Sequence, residues 1–335
     1  FIFVLNGCTD DSESILRDHI RRYLFRSDED PFQAETVGHL VKRDSNASSV
    51  MLTTHLGTMS FKVVQTQQAS KANALYLGNL LAYKEGHQIG LCLDANNWVE
   101  PDAIARIYGQ AHQYIIDKPA ERLRLVSGQP QTAYHKPLRR DWSKCNPIAL
   151  LDTLVRWRKQ RLSRQAVAFK QRGKLNLNGS FHAFDVEWLE EIGGPPQVAV
   201  EDIALTIVAH LKGEKIAFSD ASNWSYGPNS LKADFMTQVR FIRGRLQLEC
   251  FLAHYPTIKS MLDLHWPTTA PLIGKIKATA KEFLSKARSS PLAALLCIPI
   301  RILDMTYLSI ARYYASQEFR HDPNSSTWKP IPGTK

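Results

Sequence analysis

The chain is poor in cysteine, has no long apolar run, and carries none of the compact signatures that mark many enzyme sites. Its five cysteines, Cys8, Cys92, Cys145, Cys250 and Cys297, are odd in number, far apart and without a C-x-x-C pair. That pattern argues against a zinc ribbon or a disulfide scaffold and points to a reducing compartment. No stretch of eighteen uninterrupted apolar residues occurs, and the best candidate, Pro291 to Ile310, contains Arg301 and Asp304, which argues against a spanning helix. The start, Phe-Ile-Phe-Val-Leu, lacks the basic residues and small-residue cleavage site of a signal peptide and reads as a buried strand already under way. Also missing are a G-x-x-x-x-G-K-[ST] loop, a G-x-G-x-x-G turn, an H-E-x-x-H pair and a G-x-S-x-G elbow. The eleven histidines show no zinc-ligand spacing, and there is no internal repeat or low-complexity segment. What is present, 335 residues at 44% hydrophobic and 22% charged, excludes a disordered or collagen-like chain and suffices for a real core.

Charge is distributed unevenly. The chain has 42 Lys and Arg against 32 Asp and Glu, a net charge of +10, yet between Glu121 and Lys174 fourteen basic residues face three acidic ones. That block alone exceeds the net charge of the whole, so the rest is near neutral. A concentration of this kind suits nucleic acid, an anionic membrane surface or a polyphosphate ligand, or simply a solvated face. Trp157 among Arg156, Arg158, Lys159, Arg161 and Arg164 could stack a base, but with Leu151, Leu154 and Val155 it also forms an amphipathic helix. Anionic lipid or a lipid-diphosphate acceptor is the better expectation, since nothing else resembles a nucleic-acid module.

Periodicity predicts an alternation of strands and helices. Residues 1–5, 61–65, 89–93 and 216–218 read as short buried strands. Asp11 and Ser12 are N-cap types for a first helix with Ile15, Ile20 and Leu24 on one side. Further helices are expected over 70–83 up to Gly86, from Pro101 onward, over 186–192 reached from Asn178-Gly179-Ser180-Phe181, and over 203–211, with Glu201-Asp202 as its cap and Gly213 as its stop. Beyond Leu231 the pattern is helical with breaks at Pro256, Pro267, Pro271, Pro291 and Pro299. The alternation predicts an α/β fold with a mostly parallel sheet flanked by helices, whose ligands sit at the carboxyl ends of the strands, where Asn6 and Asp94 fall.

Taken singly, the polar groups at those ends are ordinary. An Asp after a strand is more often a turn former, although Asp94-x-Asn96 could hold a hard cation against a diphosphate. Glu201-Asp202 is explained by capping, and Lys71 by solvation. As an ordered series they say more. Asn6-Gly7-Cys8-Thr9-Asp10-Asp11, Ser70-Lys71-Ala72-Asn73-Ala74-Leu75, Leu91-Cys92-Leu93-Asp94-Ala95-Asn96, Asn178-Gly179-Ser180 with Phe184, Leu189, Gly193-Gly194 and Glu201-Asp202, and Gln238-Val239-Arg240-Phe241-Ile242-Arg243-Gly244 together resemble the family-two glycosyltransferases of GT-A fold, over roughly residues 1–250.

The resemblance implies roles. Asn6 matches the turn beside the nucleotide base and ribose, and Lys71 the lysine near the nucleotide. Asp94 matches the first acid of the D-x-D motif, which binds the diphosphate through Mg²⁺ or Mn²⁺, with Asn96 in place of the second acid. Asp202, in the Glu201-Asp202 catalytic pair, matches the general base for the acceptor hydroxyl. Arg240 matches the arginine of Q-x-x-R-W, whose glutamine and tryptophan positions have changed here. The family's first strand has no counterpart before Phe1.

The expected function is inverting transfer of a sugar from a nucleoside-diphosphate sugar, a UDP-sugar foremost, to a hydroxyl of a lipid-linked or cell-envelope polysaccharide acceptor. The alternative is a catalytically degenerate nucleotide-sugar or polyanion-binding protein. Beyond the transferase region, 251–335 is expected to form a C-terminal amphipathic helical region. There Lys275, Lys277, Lys281, Lys286 and Arg288 accompany Ile276, Ala280, Phe283 and Ala287, and Ile300, Leu303, Tyr307, Ile310 and Tyr314 extend the stripe. Such a region would lie in an anionic interface, placing the protein at the cytoplasmic face of the cell membrane, peripheral or monotopic. A packed helical subdomain is the plainer reading of the same spacing.

Overall fold

A computed structural model describes residues 1–6, 11–25, 33–37, 49–56, 59–66, 70–133, 177–226, 231–251 and 291–323. The part of the Glu121–Lys174 basic block from residue 134 onward and the lysine-rich segment from 275 to 288 fall outside them.

Two sheets form the frame. The first has the order β1-β4-β3-β2, from β1 (Ile2–Asn6), β2 (Gln33–Val37), β3 (Ser49–Leu56) and β4 (Met59–Thr66). The second has the order β5-β8-β7-β9-β6, from β5 (Ile89–Leu93), β6 (Asn97–Val99), β7 (Leu123–Ala133), β8 (Phe181–Asp185) and β9 (Lys215–Tyr226). The expected mostly parallel sheet is corrected here. Only β1 with β4 and β7 with β9 run parallel, and the other pairs are antiparallel. The cause lies in strands that periodicity did not find. β3 folds back on β4 as a hairpin, and β8 enters between β5 and β7 against both.

The α-helices among the described residues are α1 (Ser12–His19), α2 (Lys71–Lys84), α3 (Ala103–His112), α4 (Val186–Glu191), α5 (Glu201–Leu211), α6 (Leu231–Phe251) and α7 (Pro291–His321). They cover both faces of the second sheet, and the two-residue period of β8 shows how. Phe181 and Ala183 join Leu123 and Val126 under Ala103, Ile107 and Ala111 of α3. Phe184, one step out of phase, packs on the opposite face with Leu75 of α2, Trp188 and Leu189 of α4 and Leu205 of α5. All five β8 residues are buried, as a strand covered on both faces must be.

Local chemistry sets the junctions. Asp185 ends β8 and begins α4 by accepting a hydrogen bond from Trp188 N at 3.1 Å, while Arg124 of β7 grips its other oxygen at 2.6 Å. Ser70 caps α2 through Asn73 N at 3.3 Å. Because α2 follows β4 directly and β4 lies parallel to β1, α2 starts at the sheet end where Asn6 closes β1 opposite Thr66.

α6 docks on the entry to α5. Gln247 Oε1 accepts from Ala199 N at 3.0 Å, and a Cβ at Gly244 would stand 2.8 Å from Val200. α7 then packs along α6, where Ala311 and Ala315 meet Val239, and the Tyr307 hydroxyl donates to Asp234 at 2.7 Å. Pro299 does not break α7, which runs on through it; one missing N–H removes one intrahelical bond and leaves the rest of the ladder in place. Among the described residues no helix is long and apolar enough to cross a membrane.

Glycine allows tight approaches in the sheet. A Cβ at Gly90 of β5 would overlap the Phe184 ring, whereas at Gly78 of α2 the nearest atom is Val4 Cγ2 at 4.0 Å. Gly90→Ala is therefore expected to cost about 1–3 kcal/mol in urea unfolding, as overpacked sites do, while Gly78→Ala gains up to about 1 kcal/mol from helix propensity.

Candidate active site

The site is assembled at the carboxyl end of β5. Asp94 follows the last β5 residue, and its N–H donates to Ser180 O at 3.0 Å, because the turn 177–180 leads into β8, the antiparallel neighbour of β5. Asn97 N donates to Asp94 O at 3.0 Å, closing a four-residue turn that contains Asn96. At the start of α2, the capping of Ser70 fixes Lys71 at the first helical position. Its ammonium lies 2.9 Å from Asp94 Oδ1 and 3.0 Å from Oδ2, donates to Gly179 O at 2.7 Å, and reaches Glu201 Oε1 at 3.3 Å. One cation thus joins a strand end, a turn and two helix starts.

A buried polar lattice holds the 177–180 turn. Asn178 N donates to Ser127 Oγ at 2.8 Å, and Asn178 Nδ2 to Asn223 Oδ1 at 2.7 Å. Asn178 Oδ1 accepts from Ser180 N and Oγ, and Asn223 Nδ2 donates to Ser180 Oγ at 2.9 Å. From the other side, Leu177 N donates to Thr206 Oγ1, which itself donates to Asp202 O at 2.9 Å, so α5 and the turn are one unit. Gly179 is required there, since a Cβ would lie 2.7 Å from Asp202 Oδ2 and 2.9 Å from its carboxyl carbon.

Glu201 and Asp202 occupy the first turn of α5, where the helix dipole favours acids. The N-cap is Val200 and the helix begins at Glu201, earlier than expected, so the expected capping pair lies inside the helix and neither acid caps it. Their surroundings differ. The Glu201 side chain is 8% exposed and faces Lys71, which itself keeps 33% of its side chain exposed. Asp202 is half-buried against Gly179 and accepts from Ile203 N at 2.9 Å.

Burial raises the Glu201 and Asp202 pKa values above the ordinary carboxylate range, against the pull of Lys71 on both. Burial works against the Lys71 charge too, but Glu201, Asp94 and Asp202 outweigh it and hold the ammonium firmly protonated. Arg240 of α6 lies within the field of the same three acids. Burial nevertheless pulls its guanidinium below the usual value, and it rests 5.1 Å from the centre of the Phe241 ring. Cys92, beside Lys71, is pushed up to about 12 by burial, which leaves a thiol rather than a nucleophilic thiolate.

The structure therefore brings together Lys71, Asp94, Glu201, Asp202 and Arg240. It puts Asn6 at the matching end of β1, and Asn96 exposed in the Asp94 turn, with its Oδ1 accepting from Asn97 Nδ2 at 3.3 Å. Sequence reasoning missed the carbonyl of Gly179 as a Lys71 ligand, the Asn178–Asn223 pair and His182. The Asn-Gly-Ser triplet was the available signal for the first; Asn223 and His182 carry none.

Among the described residues no three His, Cys, Asp or Glu side chains converge to hold a metal. Asp94 and the amide oxygen of Asn96, two oxygens in one turn, fit a hard divalent cation that takes its remaining ligands from phosphate and water, as Mg²⁺ commonly does.

No protein-family model and no curated protein sequence matches the chain. Among solved structures it is similar to a mannosyltransferase from Pyrobaculum calidifontis in complex with GDP-Man and Mn²⁺, with a TM-score of 0.50 and 16% identity, over 97% of this chain and 78% of that one. The two chains share a fold.

His182, buried at 1% on β8, reports on the cluster from below. Its Nδ1–H donates to Asn178 O at 2.9 Å, and its Nε2 has no partner among the described residues. Burial, then the nearby Lys71 charge, press its pKa down to about 3. The folded protein holds this ring neutral while the unfolded chain binds a proton from about pH 6.5 downward. Its contribution to stability is therefore full above that pH and is lost as pH falls towards 3, at up to ~1.4 kcal/mol per unit. Urea unfolding at pH 7, 6, 5 and 4 should show the stability advantage of wild type over His182→Gln shrinking at each step.

Proposed function

We propose that the protein is an inverting glycosyltransferase that moves a sugar from a nucleoside-diphosphate sugar to an acceptor hydroxyl. The observation that carries this reading is the Lys71 ammonium, shared between Asp94 and Glu201, with Asp202 and Arg240 in the same field. An anion-binding cation and an acid suited to accept a proton stand within one polar cluster, on a glycosyltransferase fold.

In this mechanism Lys71 and Arg240 attract the diphosphate and offset the charge that develops on it as the bond between the anomeric carbon and the phosphate oxygen breaks. The acceptor hydroxyl oxygen forms the new bond to that carbon from the opposite face, and its proton passes to the Asp202 carboxylate. Glu201, more buried than Asp202 and turned to Lys71, holds the lysine in place. Asp94 with Asn96 would hold a divalent cation, which when bound adds positive charge beside the diphosphate. Asn6 would lie by the nucleotide. The neighbour's GDP-Man makes a GDP-sugar a donor to weigh beside UDP-sugars.

Asp202→Asn should lower transfer at least a thousandfold, measured as acceptor-dependent release of UDP or GDP, while titration of the nucleotide still shows binding within a fewfold of wild type. Loss of nucleotide binding in that variant would assign Asp202 a structural role instead.

A lipid-linked acceptor at a membrane surface is part of the same proposal. It is supported by Ile302, Ile310 and Tyr313 of α7, which stand exposed while Ala311 and Ala315 face α6. Changing these three exposed residues to Ser should reduce cosedimentation with phosphatidylglycerol vesicles severalfold without altering the melting temperature. Equal recovery of variant and wild type would remove the lipid surface from the reading.

A further inference from the structure

Asp94 is claimed twice. As the acid of the diphosphate site it is the carboxylate a divalent cation needs, yet both its oxygens already face the Lys71 ammonium, at 2.9 and 3.0 Å. That ammonium is not loosely placed, for Gly179 O and Glu201 hold it from two other elements. A divalent ion brought to Asp94 would meet a fixed positive charge a few ångströms away, and Asn96 supplies no compensating negative charge. Repulsion at such range is large in a partly buried site.

A diphosphate changes the balance. It presents several anionic oxygens to Lys71, whose side chain is a third exposed and so within reach of a ligand. Lys71 can then turn from Asp94 to phosphate while Gly179 O and Glu201, on the inner side, keep their hold. The freed carboxylate and the phosphate oxygens together complete a donor set that neither provides alone.

We propose that Lys71 keeps Asp94 closed to divalent metal until a nucleoside diphosphate arrives, so that metal and nucleotide bind with strong positive coupling instead of metal binding first. The inference rests on the reading of Lys71 and Asp94 as the diphosphate site. By linkage the coupling is reciprocal: nucleotide must raise metal affinity by the same factor that metal raises nucleotide affinity.

The test is Mn²⁺ titration followed by electron paramagnetic resonance, on the full chain, with and without saturating UDP or GDP. Wild type should bind Mn²⁺ at least about tenfold more tightly with nucleotide present. In nucleotide-free protein, Lys71→Met should bind Mn²⁺ about tenfold more tightly than wild type, and nucleotide should add little further. Lys71→Arg, which keeps the charge, should stay as weak as wild type. A Lys71→Met protein that binds Mn²⁺ no better than wild type without nucleotide overturns the proposal, and so does a wild type whose Mn²⁺ affinity ignores nucleotide. Since the methionine variant leaves three acids with less compensation and could fail to fold, the wild-type Lys71 ammonium is also followed by nitrogen NMR. Its resonance should move when Mg²⁺ and nucleotide are added together and not with Mg²⁺ alone; movement with Mg²⁺ alone overturns the proposal. Failure of UDP and GDP to bind at all would instead defeat the glycosyltransferase reading, while the nucleotide-free comparison of wild type and Lys71→Met would still report on Lys71.

Discussion

The site depends on one ammonium group and its oxygen partners on three residues. Lys71 holds Asp94 at the end of β5, Gly179 O in the turn before β8 and Glu201 at the start of α5, positions far apart in the chain. Each of these segments has its own anchor: Ser70 caps α2, the Asn178–Asn223 lattice fixes the turn, and Thr206 ties that turn to α5. The lysine is where the anchored pieces meet. Without it, three carboxylates would share a largely desolvated space with Arg240 as their remaining cation among the groups described above, and burial of unpaired charge is among the costliest arrangements a protein can hold.

Much of the fold was legible, and the misses have a common cause. β1, β5, α2, α4 and α5 were found within a few residues, because each is an apolar-rich stretch with turn or cap residues at its ends. β8 was not. Its sequence, Phe-His-Ala-Phe-Asp, has a histidine at its second position, and neither alternation nor a continuous apolar run identifies a five-residue strand buried on both faces. Missing β8 also meant missing the antiparallel sheet, since that strand reverses the direction between β5 and β7. Pro299 failed as a marker for a related reason: a helix of thirty-one residues, Pro291–His321, can absorb a local defect that would end a short one.

The site was legible in a different way. Residue types and spacing alone left Lys71 a solvated lysine and Asp94 a turn former, and only the ordered resemblance to a family lifted them out. The geometry then supplied what order could not: Lys71 and Asp94 touch, and Gly179 is a glycine because Asp202 lies where its Cβ would be. It also separated two acids that sequence treats as one pair. Adjacent residues on a helix point about 100° apart, so Glu201 and Asp202 cannot do the same job, and their unequal burial follows from that turn of the helix.

The same division explains how a crowded acidic site can be kept without unfolding the protein. The two carboxylates that the proposed mechanism leaves to ligands, Asp94 and Asp202, retain some access to water, and the one most fully withdrawn, Glu201, is set against the lysine. Partial access to water limits the cost of keeping Asp94 and Asp202 charged, while the lysine offsets the charge of Glu201. A cluster arranged the other way, with the reactive acid buried and the supporting one exposed, would be harder to reach and no more stable. In the proposed mechanism the order Glu-Asp at the head of α5 turns the first acid inward to hold the cation and leaves the second at the edge, where the acceptor would arrive.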